Sequence, residues 1–238
     1  MIKKLEDFIS HQQFYPGIFG LFVNPFYSTR KSLLKHIKSL SSEISGRVLD
    51  VGCGVKPYER LFSSKEYVGL EIESTDKIDS KADFVYDGKT FPFKNASFDS
   101  VITNQVLEHV FHPEEFLSEI HRVLKKGGKL LLTVPFVWDE HEQPYDFARY
   151  SSFGLTSLLK RNGFEVIILK KSVNDIRFFT QLAAAYIYKV LFVKNRIIRL
   201  FIISVFISPV ILFGEIIYHI FPKNNDLYLD NIVLAEKK

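Results

Sequence analysis

The segment from residue 48 to residue 54 reads Val-Leu-Asp-Val-Gly-Cys-Gly. Its apolar start predicts a buried strand, and Gly52 and Gly54 predict a tight turn directly after that strand. Glycines in such a turn let a bound molecule approach the main chain closely. Because ligands of open α/β sheets bind beyond the carboxyl ends of the strands, this turn is a candidate nucleotide-binding loop. A purely structural turn without a ligand is the alternative interpretation.

Two acidic residues follow the next two predicted strands. Glu71 ends the second strand, where its carboxylate can accept two hydrogen bonds from ribose hydroxyls. Asp87 follows the third strand and can accept a hydrogen bond from an adenine amino group. Pro57 stands where a dinucleotide fingerprint has its third glycine, which weakens the case for a nicotinamide cofactor. The spacing therefore predicts a nucleoside site, with solvated strand-end acids as the alternative.

A loop after the fifth predicted strand contains candidates for proton transfer and acceptor binding. His141 is the first choice for a general base, because an unperturbed imidazole titrates near neutral pH. The residues that could position it or bind an acceptor are Asp146, Arg149 and Tyr150. His109, on a predicted helix, is a further candidate. Hydrogen bonds that only hold the loop to the sheet are an equally open interpretation of these side chains.

The sequence predicts no metal site. His109 and His112 are three residues apart, but Pro113 interrupts the helix there and no third ligand is evident. The single cysteine, Cys53, excludes an internal disulfide framework and a zinc cluster with several cysteines.

The elements that must position these residues alternate between strands and helices from residue 46 onward. This alternation predicts a parallel sheet covered on both faces. The predicted strands are residues 47–51, 67–71, 82–86, 98–103, 129–134, 164–170 and 231–236.

Three helices are predicted with particular clarity. One begins after Pro57, and an amphipathic one covers residues 30–40. The third begins at Pro113, carries an apolar stripe, and should end with Lys126 in its last turn and Gly127 at the C′ position.

These motifs together resemble the class I S-adenosylmethionine-dependent methyltransferases. The resemblance covers roughly residues 46–172 and 226–238 and rests on Asp-Val-Gly-Cys-Gly at 50–54, Glu71, Asp87, Val-Leu-Glu-His at 106–109 and Arg-Val-Leu-Lys-Lys-Gly-Gly at 122–128. It implies a doubly wound, Rossmann-like sheet of seven strands whose last strand is antiparallel and lies between the fifth and sixth. It also implies S-adenosylmethionine as the cofactor.

The resemblance assigns roles to individual residues. It places Asp50, Gly52, Cys53 and Gly54 along the methionine and ribose part of the cofactor. Glu71 would hold the ribose hydroxyls beside Ile72, Asp87 and Gly88 would lie near the adenine, and Asn104 would lie near the sulfonium. The segments 56–58, 141–146 and 149–150 are further similar to a bacterial branch associated with cell-surface glycan synthesis.

Composition and charge limit the remaining possibilities. The 238 residues are 47% hydrophobic, which excludes global disorder, and a net charge of +4 is too small to indicate a nucleic-acid partner. No apolar signal segment stands near Met1, so a cytoplasmic location is expected. Three regions are predicted: an N-terminal helical cap at 1–45, the nucleoside-binding domain at 46–174 and 223–238, and an apolar helical insertion at 175–222.

The apolar side chains of the insertion must be kept away from water, because residues 200–214 contain no charged side chain. A membrane-surface or re-entrant helical pair, a membrane-spanning hairpin, and a homodimer interface or lid are the three alternatives. The run is too short to span a bilayer as one helix, and Pro209 should kink it.

The expected activity is methyl transfer to a membrane-proximal acceptor, on the cytoplasmic side of the inner membrane. An oxygen of a glycan or lipid-linked saccharide is the first choice. A quinone-like lipid, a non-catalytic nucleoside-binding membrane scaffold and a nicotinamide oxidoreductase are the alternatives.

Overall fold

The computed structural model describes residues 2–73 and 80–238. The chain divides into two compact units. One contains Met1–His36 and Lys171–Leu229 and is called the helical unit here. The other contains Ile37–Lys170 and Asp230–Lys238 and is called the sheet unit.

The sheet unit contains the seven strands that the sequence predicts, but within its described residues α-helices separate only the fourth from the fifth and the fifth from the sixth. The strands are β1 Ser45–Val51, β2 Ser63–Ile72, β3 Phe84–Tyr86, β4 Phe98–Asn104, β5 Leu124–Pro135, β6 Phe164–Lys171 and β7 Asp230–Lys237. The α-helices of the described chain are α1 Ile2–Phe14, α2 Gly20–Val23, α3 Tyr27–Leu40, α4 Pro113–Val123, α5 Ser152–Arg161, α6 Arg177–Val190, α7 Arg196–Ile202 and α8 Ser208–Ile217.

The seven strands form one sheet in the order β3-β2-β1-β4-β5-β7-β6. β1 pairs in parallel with β2 and β4, and β4 pairs in parallel with β5. β7 runs antiparallel to β5, with Leu131 opposite Leu234. This confirms the Rossmann-like α/β fold and the position of the last strand between the fifth and sixth.

The core of the sheet unit explains why these segments form these elements. Leu49, Leu70, Val101 and Leu132 lie on neighbouring strands and are fully buried in one cluster. The apolar stripe of α4 packs into the same cluster, and Leu117 is fully buried there. Each such side chain contributes about 1.5–3 kcal/mol by leaving water, which holds the helix against the strands.

The helix that begins at Pro113 ends earlier than predicted. It stops at Val123, and β5 begins at Leu124 with extended backbone angles. The carbonyls of Arg122 and Val123 accept hydrogen bonds from the amides of Ala96 and Ser97. They therefore do not accept hydrogen bonds from a further helical turn. The predicted last turn through Lys126 is therefore wrong, although Gly127 does adopt a positive φ of 72°.

The helix predicted after Pro57 is also wrong. Only one 3₁₀ turn, Glu59–Leu61, stands there. β2 begins at Ser63 because it already pairs with β1 at Ser45, and too few residues remain for a helix. His109 likewise lies in a 3₁₀ turn, Leu107–His109, and not in the α-helix predicted for it.

The helical unit joins the N-terminal segment to the apolar insertion. Leu21 and Tyr27 share a buried cluster with Ala184, Ile203 and Ile207. The fully buried Gln181 accepts hydrogen bonds from the amides of Ser28 and Thr29 and donates to the carbonyl of Pro25. Two segments that the sequence separates by more than a hundred residues thus cover each other's apolar faces.

The apolar run stays helical across Pro209, and the kink predicted there stays a prediction. A continuous helix extends over Arg196–Ile217, called the apolar helix here, and it includes a π-helical stretch at Ile203–Ile207 just before the proline. Such a stretch accommodates a residue that cannot donate its amide. Within the described residues this is the one helix long and apolar enough to cross a membrane by length and composition alone. The prediction that the run is too short for this is wrong, because the helix extends beyond residues 200–214 at both ends.

Candidate functional site

The turn after β1 has the backbone geometry that its glycines predict. Gly52 and Gly54 have positive φ angles of 70° and 47°. The amides of Gly52 and Cys53 both donate to the carbonyl of Leu70 on β2, which fixes the turn to the neighbouring strand. A Cβ atom at Gly52 would overlap the side chain of Val106, whereas no atom lies within 4 Å of a Cβ built at Gly54. Space for a bound molecule is therefore open at Gly54.

Glu71 lies beside this turn, as the sequence predicts from its position at a strand end. Its Oε2 atom accepts a hydrogen bond of 2.9 Å from the amide of Gly54. Its Oε1 atom accepts one of 3.2 Å from the amide of Ile72. A carboxylate can accept about four hydrogen bonds, so acceptor capacity remains for two hydroxyls of a ribose.

Asp50 is buried just before the turn. The hydroxyl of Tyr67 donates to its Oδ2 atom at 2.8 Å. Burial raises the pKa of Asp50 to about 7, and the nearby charge of Glu71 adds to this rise. The pKa of the Tyr67 hydroxyl is raised by burial and by Asp50, so Tyr67 stays a hydrogen-bond donor.

Cys53 lies between the two glycines and is buried. Burial first, and then the charges of Asp50 and Glu71, raise the pKa of its thiol to about 12. The thiol is therefore protonated at neutral pH and is not a nucleophile.

Asp87 and Gly88 follow β3. The Oδ1 atom of Asp87 accepts hydrogen bonds from the amides of Lys89 and Thr90, and these bonds lower the pKa of the carboxyl. Gly88 has a positive φ of 82°, and a Cβ there would stand 3.2 Å from Cδ1 of Ile72. Ile72 and Gly88 thus adjoin each other in the region where the resemblance places an adenine.

Asn104 ends β4 and is held by the neighbouring strand. The hydroxyl of Thr133 donates to Oδ1 of Asn104 at 2.6 Å, and the side-chain amide of Gln105 donates to the same hydroxyl at 3.2 Å. The side chain of Asn104 is thereby oriented at the carboxyl end of β4.

A second group of polar side chains lies beyond β4 and β5. The Nδ1 atom of His141 is 3.2 Å from Oδ2 of Asp146 and 3.2 Å from the carbonyl oxygen of Asp139. Because a carbonyl only accepts, Nδ1 carries a proton, and in the neutral imidazole the lone pair is therefore on Nε2. The guanidinium of Arg149 donates to both oxygens of Asp146 at 2.6 Å, and this pair lowers the pKa of Asp146 to about 2.

The other contacts of Arg149 lie within the same loop. Its guanidinium also donates to the carbonyls of Asp139 and Ala148. The amide of Tyr150 donates to the carbonyl of Pro135, and its own carbonyl accepts from Asn231. These bonds hold the loop in place, and the role of Arg149 and Tyr150 in binding an acceptor stays a prediction.

His109 faces this loop from the other side. Its Nδ1 atom lies 2.8 Å from the carbonyl oxygen of Tyr145, so Nδ1 is again the donor and Nε2 has the lone pair. Nε2 lies 3.9 Å from Oε1 of Glu108 and 3.8 Å from Oε2 of Glu142. The imidazole of His109 meets the ring of His141 edge to face.

Glu108 is the residue that the sequence analysis missed. Its carboxylate is completely buried, and neither oxygen has a hydrogen-bond partner among the described residues. Burial raises its pKa to about 8, so the carboxyl is mostly protonated at neutral pH. The available signal was an acid between the apolar pairs Val106–Leu107 and Val110–Phe111, because carboxylates are rarely buried without a partner.

Glu108, His109 and His141 each offer one ligand atom, and these atoms lie within 4.8 Å of one another. Such a group could hold a metal ion. From the sequence only His109 and His112 were candidate ligands, because no local pattern indicates that the loop returns His141 to this place.

The two groups of side chains are connected within the sheet unit. Val106, whose side chain lies against Gly52, accepts a hydrogen bond on its carbonyl from the amide of His109. The glycine turn and the histidine cluster therefore share one segment at the carboxyl ends of β1 and β4, which pair side by side.

Comparisons with known proteins agree with this geometry. A family model described as a methyltransferase domain matches residues 27–169. A probable S-adenosylmethionine-dependent methyltransferase of Mycolicibacterium smegmatis is 30% identical over 142 residues, which is 53% of this chain and 55% of that protein. The fatty-acid O-methyltransferase of the same organism is 33% identical over 115 residues, which is 42% of this chain and 41% of that protein.

This chain thus spans less than two thirds of the length of these two relatives. Among solved structures, phosphoethanolamine N-methyltransferase 2 of Haemonchus contortus, in complex with S-adenosyl-L-methionine, has a TM-score of 0.57. It is 18% identical, and the match covers 92% of this chain and 55% of that one. At this identity the likeness shows a common fold.

Proposed function

This chain belongs to the methyltransferase domain family, and we propose that it transfers a methyl group from S-adenosylmethionine to a hydroxyl oxygen of a glycan or lipid-linked saccharide. The family match includes the glycine turn, Glu71 and the histidine cluster. The protein is a methyltransferase that depends on S-adenosylmethionine. Its fold is consistent with the cytoplasmic location predicted from the sequence.

The residues at the carboxyl ends of β1 and β2 fit the cofactor. The open space at Gly54 can accept the methionine and ribose part, and Glu71 has acceptor capacity left for the ribose hydroxyls. When bound, S-adenosylmethionine supplies a methyl group on a positively charged sulfur, which is already activated for transfer. The protein then has to align the acceptor with the methyl group. Such alignment can lower the activation free energy by roughly 7–11 kcal/mol in favourable cases.

The single observation that carries the oxygen acceptor is the position of the His141 imidazole, whose Nδ1 atom lies 3.2 Å from Oδ2 of Asp146. A sugar hydroxyl is a poor nucleophile at neutral pH and needs a base to take its proton. The Nδ1 atom of His141 donates to the carbonyl of Asp139, so the neutral ring has its lone pair on Nε2, and Asp146 also accepts from the backbone amide of His141. Asp146 stays ionised because Arg149 holds it in a two-point ion pair, and it stabilises the imidazolium once His141 has taken the proton.

His109 supports the same step. Its Nε2 atom also has the lone pair, and the ring lies edge to face with that of His141. We therefore assign His141 as the base and His109 as a second group that can accept or relay the proton.

A lipid acceptor is the second candidate. The relative named a fatty-acid O-methyltransferase supports it. A fatty-acid carboxylate is already ionised at neutral pH and needs no base. The histidine–carboxylate pair therefore favours a hydroxyl acceptor, including that of a quinone-like lipid, over a carboxylate. A nucleoside-binding scaffold without catalysis is the third alternative, and the test below distinguishes it from the other two.

The test is transfer of a labelled methyl group from S-adenosylmethionine to fractionated glycan and lipid extracts. We expect label in an alkali-stable methyl ether of the glycan or lipid-linked saccharide fraction, and loss of this label in His141→Ala. Label in an alkali-labile ester of the fatty-acid fraction would contradict the proposal. Cofactor binding with no transfer to any fraction would support the scaffold.

A further inference from the structure

The apolar helix of the helical unit is hydrophobic on both of its faces. Ile203, Ile207 and Ile211 are buried on one face, where they pack on Leu21 and Tyr27. The opposite face has large apolar side chains that stay exposed to solvent: Phe201, Val205, Leu212, Phe213 and Ile216. Only 28% of the most apolar 18-residue stretch of this helix is buried. A helix that covers a water-soluble core has polar residues on its outer face, so this face is built for another environment.

The exposed apolar surface continues onto neighbouring elements. Ser204, next to Val205, donates to the carbonyl of Phe22, and Phe22 is itself exposed. The backbone at Gly214, next to Phe213, lies so close to Thr180 on α6 that a Cβ there would overlap it. Exposed apolar residues next to these contacts include Phe19 and Phe179. A surface of this extent on one chain marks an interaction site.

The charged residues around this surface are mostly basic. Residues 177–222 contain five Lys or Arg and one acid, Glu215. Glu215 is already bound by Lys31 and Arg177. Four further basic residues lie at the start of the apolar helix and just before it: Lys189, Lys194, Arg196 and Arg199. Of these, Arg196 forms an ion pair with Glu6 of α1. This apolar face with a basic border is complementary to an anionic lipid surface.

We propose that the apolar helix lies in the surface of an anionic lipid bilayer, with the exposed apolar face in the acyl region and the basic border at the headgroups. This inference rests on the proposed function in one respect: the bilayer surface is where the enzyme would bind an amphiphilic acceptor.

The helix lies on the bilayer and does not cross it. Its other face packs on the rest of the helical unit, where the hydroxyl of Ser208 donates to the carbonyl of Leu21 on α2. The same hydroxyl also donates to the carbonyl of Ile203 within the helix. The chain before and after the helix also contributes strands to one sheet, because β7 lies between β5 and β6. A single crossing would place these strands on opposite sides of the membrane.

A second copy of the chain is the less favourable occupant. In a twofold dimer only residues near the axis meet their own copies, so a dimer would cover the apolar face but would not give the basic residues at one end of it an acidic partner by symmetry alone. Anionic headgroups would attract these basic residues directly.

The experiment is flotation of the purified full chain with vesicles, without methyl donor or acceptor. One set of vesicles is phosphatidylcholine, and the other contains phosphatidylglycerol as a third of the lipid. We expect binding to the anionic vesicles that weakens as salt is added. Lys194→Glu combined with Arg199→Glu should reduce this binding by at least about tenfold.

The apolar contribution is tested by Phe201→Ser combined with Phe213→Ser. Both side chains are more than half exposed, so the fold should persist, which thermal unfolding checks. Binding to anionic vesicles should fall by at least about tenfold. The matched control is Phe111→Ser with Phe153→Ser, two exposed phenylalanines of the sheet unit, which should bind as the native protein does.

Two results would overturn the proposal. One is the absence of flotation with either vesicle, together with a concentration-dependent dimer in sedimentation that the Phe201 and Phe213 changes abolish. The other is unchanged binding of the Phe201 and Phe213 variant. Because no methyl transfer is measured, failure here leaves the proposed activity standing, and an inactive enzyme can still bind vesicles.

Discussion

The imidazole rings of His109 and His141 meet edge to face, with their centroids 4.8 Å apart and their planes at 81°. Each ring has its Nδ1 atom bound to a carbonyl oxygen, of Tyr145 and Asp139 respectively. Both rings therefore present Nε2 with a lone pair, and the buried carboxyl of Glu108 lies beside them. The cluster collects proton-accepting groups from two loops at one end of the sheet.

His141→Ala should lower kcat by about 10²–10⁴-fold, because the base for the acceptor hydroxyl is lost. His109→Ala should cause a smaller loss. S-adenosylmethionine binding by calorimetry should not change in either variant. The control is His112→Ala, an exposed imidazole at the start of α4. Equal activity of His141→Ala and the native enzyme would exclude the base assignment.

Treatment with a chelator distinguishes a general base from a metal site in the cluster of Glu108, His109 and His141. If His141 acts as the base, EDTA leaves methyl transfer unchanged, and dialysed protein needs no added divalent cation. If Glu108, His109 and His141 hold a metal that binds the acceptor, activity disappears on chelation and returns with the metal. We expect the first result, with metal content measured by mass spectrometry on the purified protein.

Alanine at the two turn glycines should have different effects. Gly54→Ala places its methyl group in open space, so the free energy of unfolding should fall by only about 1 kcal/mol, from the positive φ. Binding of S-adenosylmethionine should weaken, because the methyl group fills the space for the cofactor. Gly52→Ala should destabilise the fold by roughly 2–4 kcal/mol, since its methyl group overlaps Val106.

Val106→Ala in the Gly52→Ala background tests this cause. It should restore part of the lost stability in chemical denaturation, because it removes the side chain that the new methyl group meets. A double variant whose loss equals the sum of the two single losses would show that the overlap is not the cause.

Glu71→Ala should weaken calorimetric binding of S-adenosylmethionine by at least about tenfold, because hydrogen bonds to a charged group contribute roughly 1.5–3 kcal/mol. Glu66→Ala is the matched control, since Glu66 lies on the same strand but pairs with Arg47. Preference of the native protein for a nicotinamide dinucleotide, or equal binding by both variants, would argue against the assigned ribose contact.

Glu108 makes stability depend on pH. The pKa of its carboxyl rises from 4.5 to about 8 in the folded protein, because burial disfavours the charged form. Between these two values the unfolded chain is ionised while the folded protein keeps the proton, so the free energy of unfolding falls as pH rises, by about 5 kcal/mol at most. Below pH 4.5 both states are protonated and this loss disappears.

Glu108→Gln should therefore stabilise the protein more at pH 8 than at pH 5, relative to the native chain. Urea denaturation at the two pH values measures the difference, and Glu114→Gln, an exposed carboxylate of α4, is the control. The same stability difference at both pH values would show that Glu108 is not the titrating group.

Local patterns were enough to predict the strands and the proximity of the glycine turn to Glu71. Short apolar runs located all seven strands, and the strand ends brought Gly54 and Glu71 together, as the hydrogen bond from the Gly54 amide to the Glu71 carboxylate shows. Parallel strands end at one edge of a sheet, so residues after neighbouring strands must be close in space. Helix ends were less predictable, because Leu124 could be helical by pattern but is taken into β5 by pairing with Phe98.

The amino-acid sequence by itself determined the order of the strands, the glycine turn and the acids at the strand ends, since these follow from short-range periodicity and backbone preferences. Only the tertiary structure decided that His141 returns to His109 over a buried Glu108, and that the N-terminal helices cover one face of the apolar helix and leave the other exposed. Such contacts join segments far apart in the chain, and they depend on how whole elements pack, which no local pattern records.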